Sequence, residues 1–301
     1  MEFSWINDLS KEFFGIGRAP LPQEIIAMKS SVPILAEKQN HDLYHFWGKI
    51  TGTSRSYLII VCYTGGLLGE KTYYASLDAV SWFGLPLVTK ELLFHTSHIR
   101  KPITGNPLSK ELVYHPRRPI PFKDITPLIP PKPRNEEEEE EEQVEEKATE
   151  EEEDQEEEDL LEFEEIQISE DQRIACLVHL IDKNGLIFPQ DSLIWKSANS
   201  VAFNPLFKGV SSDATLDDFC RLQKSASREG IRPNAIVESM PLLSDDLPSR
   251  GWSISSEKYS NVTKITSKLW PGLCFISKGP HWGTVYLGNG KRNTDFLFAS
   301  E

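Results

Sequence analysis

The last fifty residues constrain the fold more than any other stretch. Gly251–Ser255, Asn261–Thr266, Leu269–Ile276 and Gly283–Leu287 alternate apolar with small polar residues, and Gly, Pro and Asn punctuate them. A period of two marks a half-buried strand. Gly288-Asn289-Gly290 is turn chemistry, because these residues accept a positive φ. The tract therefore predicts three or four short antiparallel strands. It offers no nucleophile–base pair and no metal-ligand spacing, so it reads as a platform.

The totals bound the class. The 301 residues suffice for one large domain or two ordinary ones, and 39% are hydrophobic, low for a chain globular throughout. No window approaches the length of apolar chain that spans a membrane, and Met1–Pro20 lacks the basic and apolar regions of a secretory signal. Cys62, Cys176, Cys220 and Cys274 are dispersed without a Cys-x-x-Cys, which predicts buried free thiols in a reducing compartment. The net charge of −14 is unevenly placed: residues 136–165 carry 21 acids and one base, so the rest of the chain is +6.

The chain divides by composition into five stretches. Residues 1–40 predict an irregular aromatic arm and a helix beginning near Pro22, broken or kinked at Pro33. Residues 41–101 form a β-rich first half: Leu43–Ile50 and Tyr57–Tyr63 as a hairpin, Thr72–Leu77 as a third strand, and a short helix over Thr89–His98 capped by Thr89. Residues 102–135 hold nine prolines, which predicts an extended segment. Residues 136–168 form an acidic insert whose repelling charges predict disorder. Residues 169–301 form a β-rich second half. In it, Arg173–Ile181 predicts a strand and Asp182–Gly185 a hairpin turn. Leu193–Trp195 would extend the sheet, and Thr215–Lys224 predicts a short helix. The fold class is α+β, mainly antiparallel sheet with a few short helices, interrupted by the acidic insert; both halves could share one core.

Candidate chemistry is sparse. Gly288-x-Gly290-Lys291 lacks the spacing of a phosphate loop and the third glycine of a dinucleotide fingerprint, and reads as a β-turn. His41 and His45, and His95 and His98, have pairwise metal-ligand spacing but no further ligands nearby; surface or hairpin histidines are the simpler reading. No serine sits in a nucleophile motif. No metal or cofactor is implied, and no basic stripe interleaved with aromatics points to nucleic acid. The acidic run is a solvated spacer, an electrostatic contact for a basic partner, or a polyvalent cation- or histone-binding tract. Of the tryptophans, Trp47, Trp252 and Trp270 fall in strand patterns and read as core. Trp82 and Trp282 fall in apparent loops and are the candidate interface residues, since exposed aromatics anchor partners.

Four blocks then resemble the radial spoke head protein 9 family. They are Phe46-Trp47-Gly48-Lys49-Ile50 with Gly52, Tyr57 and Ile59; Lys71-Thr72, Tyr74, Ser76-Leu77 with Trp82 and Leu85-Pro86; Ile181-Asp182-Lys183 with Pro189; and Trp252-Ser253-Ile254, Leu269-Trp270-Pro271-Gly272-Leu273, Phe275, Gly283, Val285-Tyr286, Gly288, Gly290, Asn293 and Asp295. The glutamate run is longer than the family's middle segment, and Thr215–Lys224 follows its pattern poorly. The resemblance implies a non-catalytic structural subunit of the radial spoke head in the axoneme of motile cilia and flagella. Its partners would be head proteins four and six and head proteins one and ten. It would support head assembly and mechanical signalling from the central pair to dynein. The alternative from another class is an acidic chaperone for histones or other basic proteins.

Overall fold

The computed structural model describes residues 1–13, 15–67, 69–116, 163–197, 200–221, 241–246, 251–257 and 259–295. The acidic run up to residue 162, most of the proline-rich segment, residues 222–240 and 247–250, which include the end of the helix expected over Thr215–Lys224, and Phe296–Phe298 lie outside the described residues.

Fourteen strands and four α-helices are described, in the chain order α1 (Ile6–Ser10), α2 (Pro22–Lys38), β1 (Leu43–Ile50), β2 (Tyr57–Thr64), β3 (Glu70–Ser76), β4 (Phe83–Gly84), α3 (Lys90–Ser97), β5 (Lys110–Pro116), β6 (Phe163–Ser169), α4 (Glu170–Gly185), β7 (Ile187–Pro189), β8 (Leu193–Ser197), β9 (Ser200–Phe203), β10 (Phe219–Arg221), β11 (Trp252–Glu257), β12 (Val262–Ser267), β13 (Leu273–Lys278) and β14 (His281–Gly288). Eight of the strands form one sheet in the order β11-β12-β13-β14-β1-β2-β3-β4. Every neighbouring pair is antiparallel except β1 and β14, which run parallel and join the two halves of the chain. Three two-stranded ribbons, β7–β10, β5–β6 and β8–β9, lie outside that sheet.

Helices cover both faces, which explains why β2 is apolar at nearly every position rather than alternating. Leu58, Ile60 and Cys62 join Cys274, Ile276, Val285 and Leu287 against Ile6, Leu9, Phe13, Ile25, Met28 and Val32 of the N-terminal helices. Their sequence neighbours Tyr57, Ile59, Val61 and Tyr63 join Phe275 and Tyr286 against Ile174, Val178 and Ile181 of α4. A β-bulge in β1 between Phe46 and Gly48 inserts one residue and reverses the alternation. Lys49 thereby faces α2, where its ammonium lies 2.8 Å from Glu24, while Trp47 and Ile50 both face α4. Gly48 sits where β1 meets β14, and a Cβ there would lie 2.1 Å from the Tyr286 carbonyl oxygen. Only glycine permits that approach.

Several expected elements take other forms. Arg173–Ile181 is helix, the middle of α4. Ser169 and Gln172 form a capping box, acids fill the first turn, and Ile174, Val178 and Ile181 recur at helical spacing on the buried face. Those start signals outweigh the β-branched content. Asp182–Gly185 is consequently the last turn of α4, not a hairpin. Thr215–Lys224 opens as a 3-10 turn, Leu216–Asp218, and turns into β10, which pairs with β7. Leu193–Trp195 belongs to a separate ribbon with β9. Helix α2 runs through Pro33, because Ile25, Met28, Val32 and Ala36 bury against the sheet and offset the lost backbone bond. The N-terminal arm holds α1 and a 3-10 turn, and its Phe3 and Phe13 are buried. The hairpin β1–β2, strand β3, helix α3 with its Thr89 cap, and the C-terminal strands form where the sequence indicates.

Candidate functional site

Helix α4 is clamped to the sheet by a carboxylate at each end. At its first turn Glu170, only 2% exposed, accepts hydrogen bonds from Tyr57 Oη at 2.7 Å, Thr104 N at 2.8 Å, Thr104 Oγ1 at 2.6 Å, Gly105 N at 2.7 Å and Asn106 N at 3.0 Å. Burial pushes its pKa up, but these donors outweigh burial and hold it below the usual carboxylate value. Arg173, one turn on, pairs with Glu111 at 2.9 Å and donates to the Lys101 carbonyl at 2.6 Å. The segment that leaves the first half of the sheet is thus held on α4 before it enters the β5–β6 ribbon.

At the other end of α4, Asp182 accepts from Trp47 Nε1 at 3.2 Å, Lys71 Nζ at 2.5 Å and Tyr73 Oη at 2.8 Å. Burial and the Asp182 charge push the Tyr73 phenol upward. Trp47, Lys71 and Asp182 come from three of the sequence blocks singled out above, and they meet here at one carboxylate. The fourth block arrives through Tyr286, whose ring lies 5.5 Å from Trp47. A further buried cluster joins Arg221, Asp246 and Trp252: Arg221 and Trp252 Nε1 both bond to Asp246, the latter at 2.8 Å, and Arg221 lies over the Trp252 ring.

Beside Asp182 is a cavity of about 90 Å³. Its walls are mostly apolar and rich in aromatics, including Trp5, Tyr63, Phe203 and Trp282, with Met1, Glu2, Asp182 and Thr284 also in the lining. His45 on β1 faces it, 8% exposed, its ring 5.3 Å from Tyr63 and 6.2 Å from Phe203. Burial pushes the His45 pKa down to about 3, so the imidazole is neutral at physiological pH.

The two candidate interface tryptophans do not come together. Trp82 precedes β4 in a loop and is half-buried, with its Nε1 donating to Ser31 Oγ of α2 at 2.9 Å. Trp282 lies within β14 rather than in a loop, because Lys278-Gly279-Pro280 makes a tighter turn than expected. Its ring packs 5.6 Å from Phe203, 6.1 Å from Phe275 and 6.3 Å from Trp5. Trp47, Trp252 and Trp270 are buried. The histidine pairs have separate surroundings: His41 bonds Thr64 and Tyr74, whereas His45 faces the cavity, and His95 and His98 flank Phe94 on α3. Among the described residues no three metal-ligating side chains gather. All four cysteines are buried free thiols. Glu170, His45 and Phe203 carry no motif; only the acidic first turn after Ser169 marks Glu170 in sequence, as a helix start.

Fold and site together give a sheet packed on both faces, with buried polar side chains clamping its layers. No family model matches the chain. It is similar along most of its length to proteins named Radial spoke head protein 9 homolog. The cattle (Bos taurus) and human (Homo sapiens) proteins are each 24% identical over 297 residues, covering 94% of either chain, and the zebrafish (Danio rerio) protein is 23% identical over 287 residues, covering 90%. That similarity runs through the same sequence blocks that carry the resemblance to the radial spoke head protein 9 family.

Proposed function

We propose that this chain is a non-catalytic structural subunit of the radial spoke head in the axoneme of motile cilia and flagella. The observation that carries the reading is the near full-length similarity to proteins bearing the radial spoke head name. The architecture supports it physically. A subunit that transmits force between neighbours needs few soft internal joints. Here both halves of the chain enter one sheet through the β1–β14 pair, and α4 is fixed to that sheet at both ends. The partners are other spoke head subunits, head proteins four and six and head proteins one and ten, and through the assembled head the projections of the central pair. The subunit supports head assembly and passes mechanical signals from the central pair toward dynein. No helix among the described residues is long and apolar enough to cross a membrane.

Immunoprecipitation from detergent-extracted axonemes, read by mass spectrometry, tests the reading. The expected result is recovery with the other head subunits from the detergent-resistant fraction. Recovery from a soluble or nuclear fraction together with histones would overturn it in favour of an acidic chaperone.

A further inference from the structure

Positive charge collects at one end of the large sheet, where the parallel strands β1 and β14 finish. Loops 51–56, 98–110, 267–272 and 289–295 meet there, and together they carry seven Lys or Arg and one acid, Asp295, in a chain of net charge −14. Backbone hydrogen bonds make the four loops one surface. Thr51 N donates to the Gly288 carbonyl at 2.8 Å, Thr53 N to the Ile103 carbonyl at 2.8 Å and Ser54 N to the Thr104 carbonyl at 2.9 Å. Asn293 N donates to the Leu269 carbonyl at 2.8 Å.

Toward the opposite end of the sheet, cations are paired: Lys264 and Lys278 with Glu12, and Lys71 with Asp182. On the loops, Arg55, Arg100, Lys101, Lys110, Lys291 and Arg292 are exposed and join no ion pair among the described residues. The carboxylates beneath them are already engaged, Glu170 by its donors on Tyr57 and Thr104–Asn106, and Glu111 by Arg173. Like charge left uncompensated on one surface repels itself and draws the opposite sign from solution. The loops do not suit every polyanion. They expose no Trp, Tyr or Phe on which bases could stack. Leu108 is the one large apolar side chain they expose, too little to enter a lipid surface. Several guanidinium and ammonium groups side by side do match a run of side-chain carboxylates, each pair weak and the set additive.

We propose that this loop surface docks an acidic, extended segment of a neighbouring protein, whose carboxylates pair with Arg55, Lys101, Lys110, Lys291 and Arg292. The inference rests on charge complementarity and does not depend on the spoke head reading. The rival occupant is the chain's own glutamate run, with 21 acids over residues 136–165, and the test separates the two.

The test uses the purified full-length chain and a fluorescein-labelled Glu-rich peptide. Anisotropy reads affinity at low and at physiological salt, and carbodiimide cross-linking, which joins carboxylates to lysines, reads position. Saturable binding that weakens as salt rises is expected, with cross-links to Lys101, Lys110 and Lys291. The paired substitution Lys291→Glu, Arg292→Glu weakens binding roughly tenfold. Lys38→Glu with Lys183→Glu, the same change of charge on exposed residues away from the loops, shifts it less than about twofold. Polyuridylate and phosphatidylserine vesicles bind more weakly than the peptide. A second protein, with residues 117–162 replaced by a short turn, identifies the occupant: binding to the shortened chain but not to the full chain assigns the surface to the chain's own run and overturns the proposal. No saturable binding to the full chain, equal effects of the two paired substitutions, or polyuridylate or vesicles binding as tightly as the peptide also overturns it. Cross-links confined to lysines away from the loops overturn it even if a variant fails to fold.

Discussion

Trp47 donates its indole N–H to the Asp182 carboxylate across 3.2 Å, although 135 residues separate them in the chain. With Lys71 and Tyr73 on the same carboxylate, this contact ties α4 to β1 and β3. Removing the acid strands three donors in a largely buried place. Asp182→Ala is expected to destabilise the fold by about 3–5 kcal/mol, and Asp182→Asn by less. The double variant Lys71→Met, Asp182→Leu is expected to recover part of the loss, since it leaves no lone charge. Chemical denaturation with all three variants checks this.

Glu170 couples stability to acidity. Its folded pKa lies below its ordinary value near 4.5, so its contribution is fully present above that value. It is lost as pH falls from there through the folded pKa. Glu170→Gln, which loses the charge and mismatches several donors, is expected to cost about 1.5–3 kcal/mol at neutral pH. The gap to the wild type should narrow below pH 4.5 in urea melts run across the acid range.

Gly48→Ala tests the parallel seam. Its methyl would sit against the Tyr286 carbonyl oxygen, and both contacts are backbone, so neither side yields cheaply. A loss of about 3 kcal/mol or more is expected, against about 1 kcal/mol for Gly66→Ala, whose methyl would meet nothing within 4 Å and bears only the cost of the positive φ, and less for Gly66→Asn, which tolerates that φ. Thermal melting of the three variants separates seam from turn.

Trp82 and Trp282 should diverge. Trp282→Ala empties a site among Trp5, Phe203 and Phe275 and is expected to lower stability by about 2–4 kcal/mol. Trp82→Ala, half-buried at the sheet edge, is expected to lower it less and to weaken co-purification with head partners. Melting and co-purification measured on the same preparations decide between core and interface roles.

Removal of the acidic run is expected to leave the fold intact. Pro116 and Phe163 are paired at the end of the β5–β6 ribbon, so a short turn can join them. Replacing residues 117–162 with a four-residue glycine-containing turn should leave the melting transition in place. Deleting residues 136–159 should spare head assembly but change beat frequency or its salt sensitivity, as expected of a charge that acts at a distance.

The sequence alone was sufficient for the C-terminal strands, the β1–β2 hairpin, β3 and the Thr89-capped helix, because each is specified by local periodicity and turn chemistry. It also determined which blocks carry the family resemblance. It misjudged α4, where a dense apolar run satisfies strand and helix periods alike and only the Ser169 cap and the spacing of Ile174, Val178 and Ile181 distinguish them. Tertiary structure alone decided that β1 and β14 lie parallel, that Asp182 and Glu170 clamp one helix at its two ends, and that His45 faces a cavity. Those facts depend on contacts between residues up to some hundreds of positions apart, and a pairing of that kind leaves no periodic trace in either partner's neighbourhood.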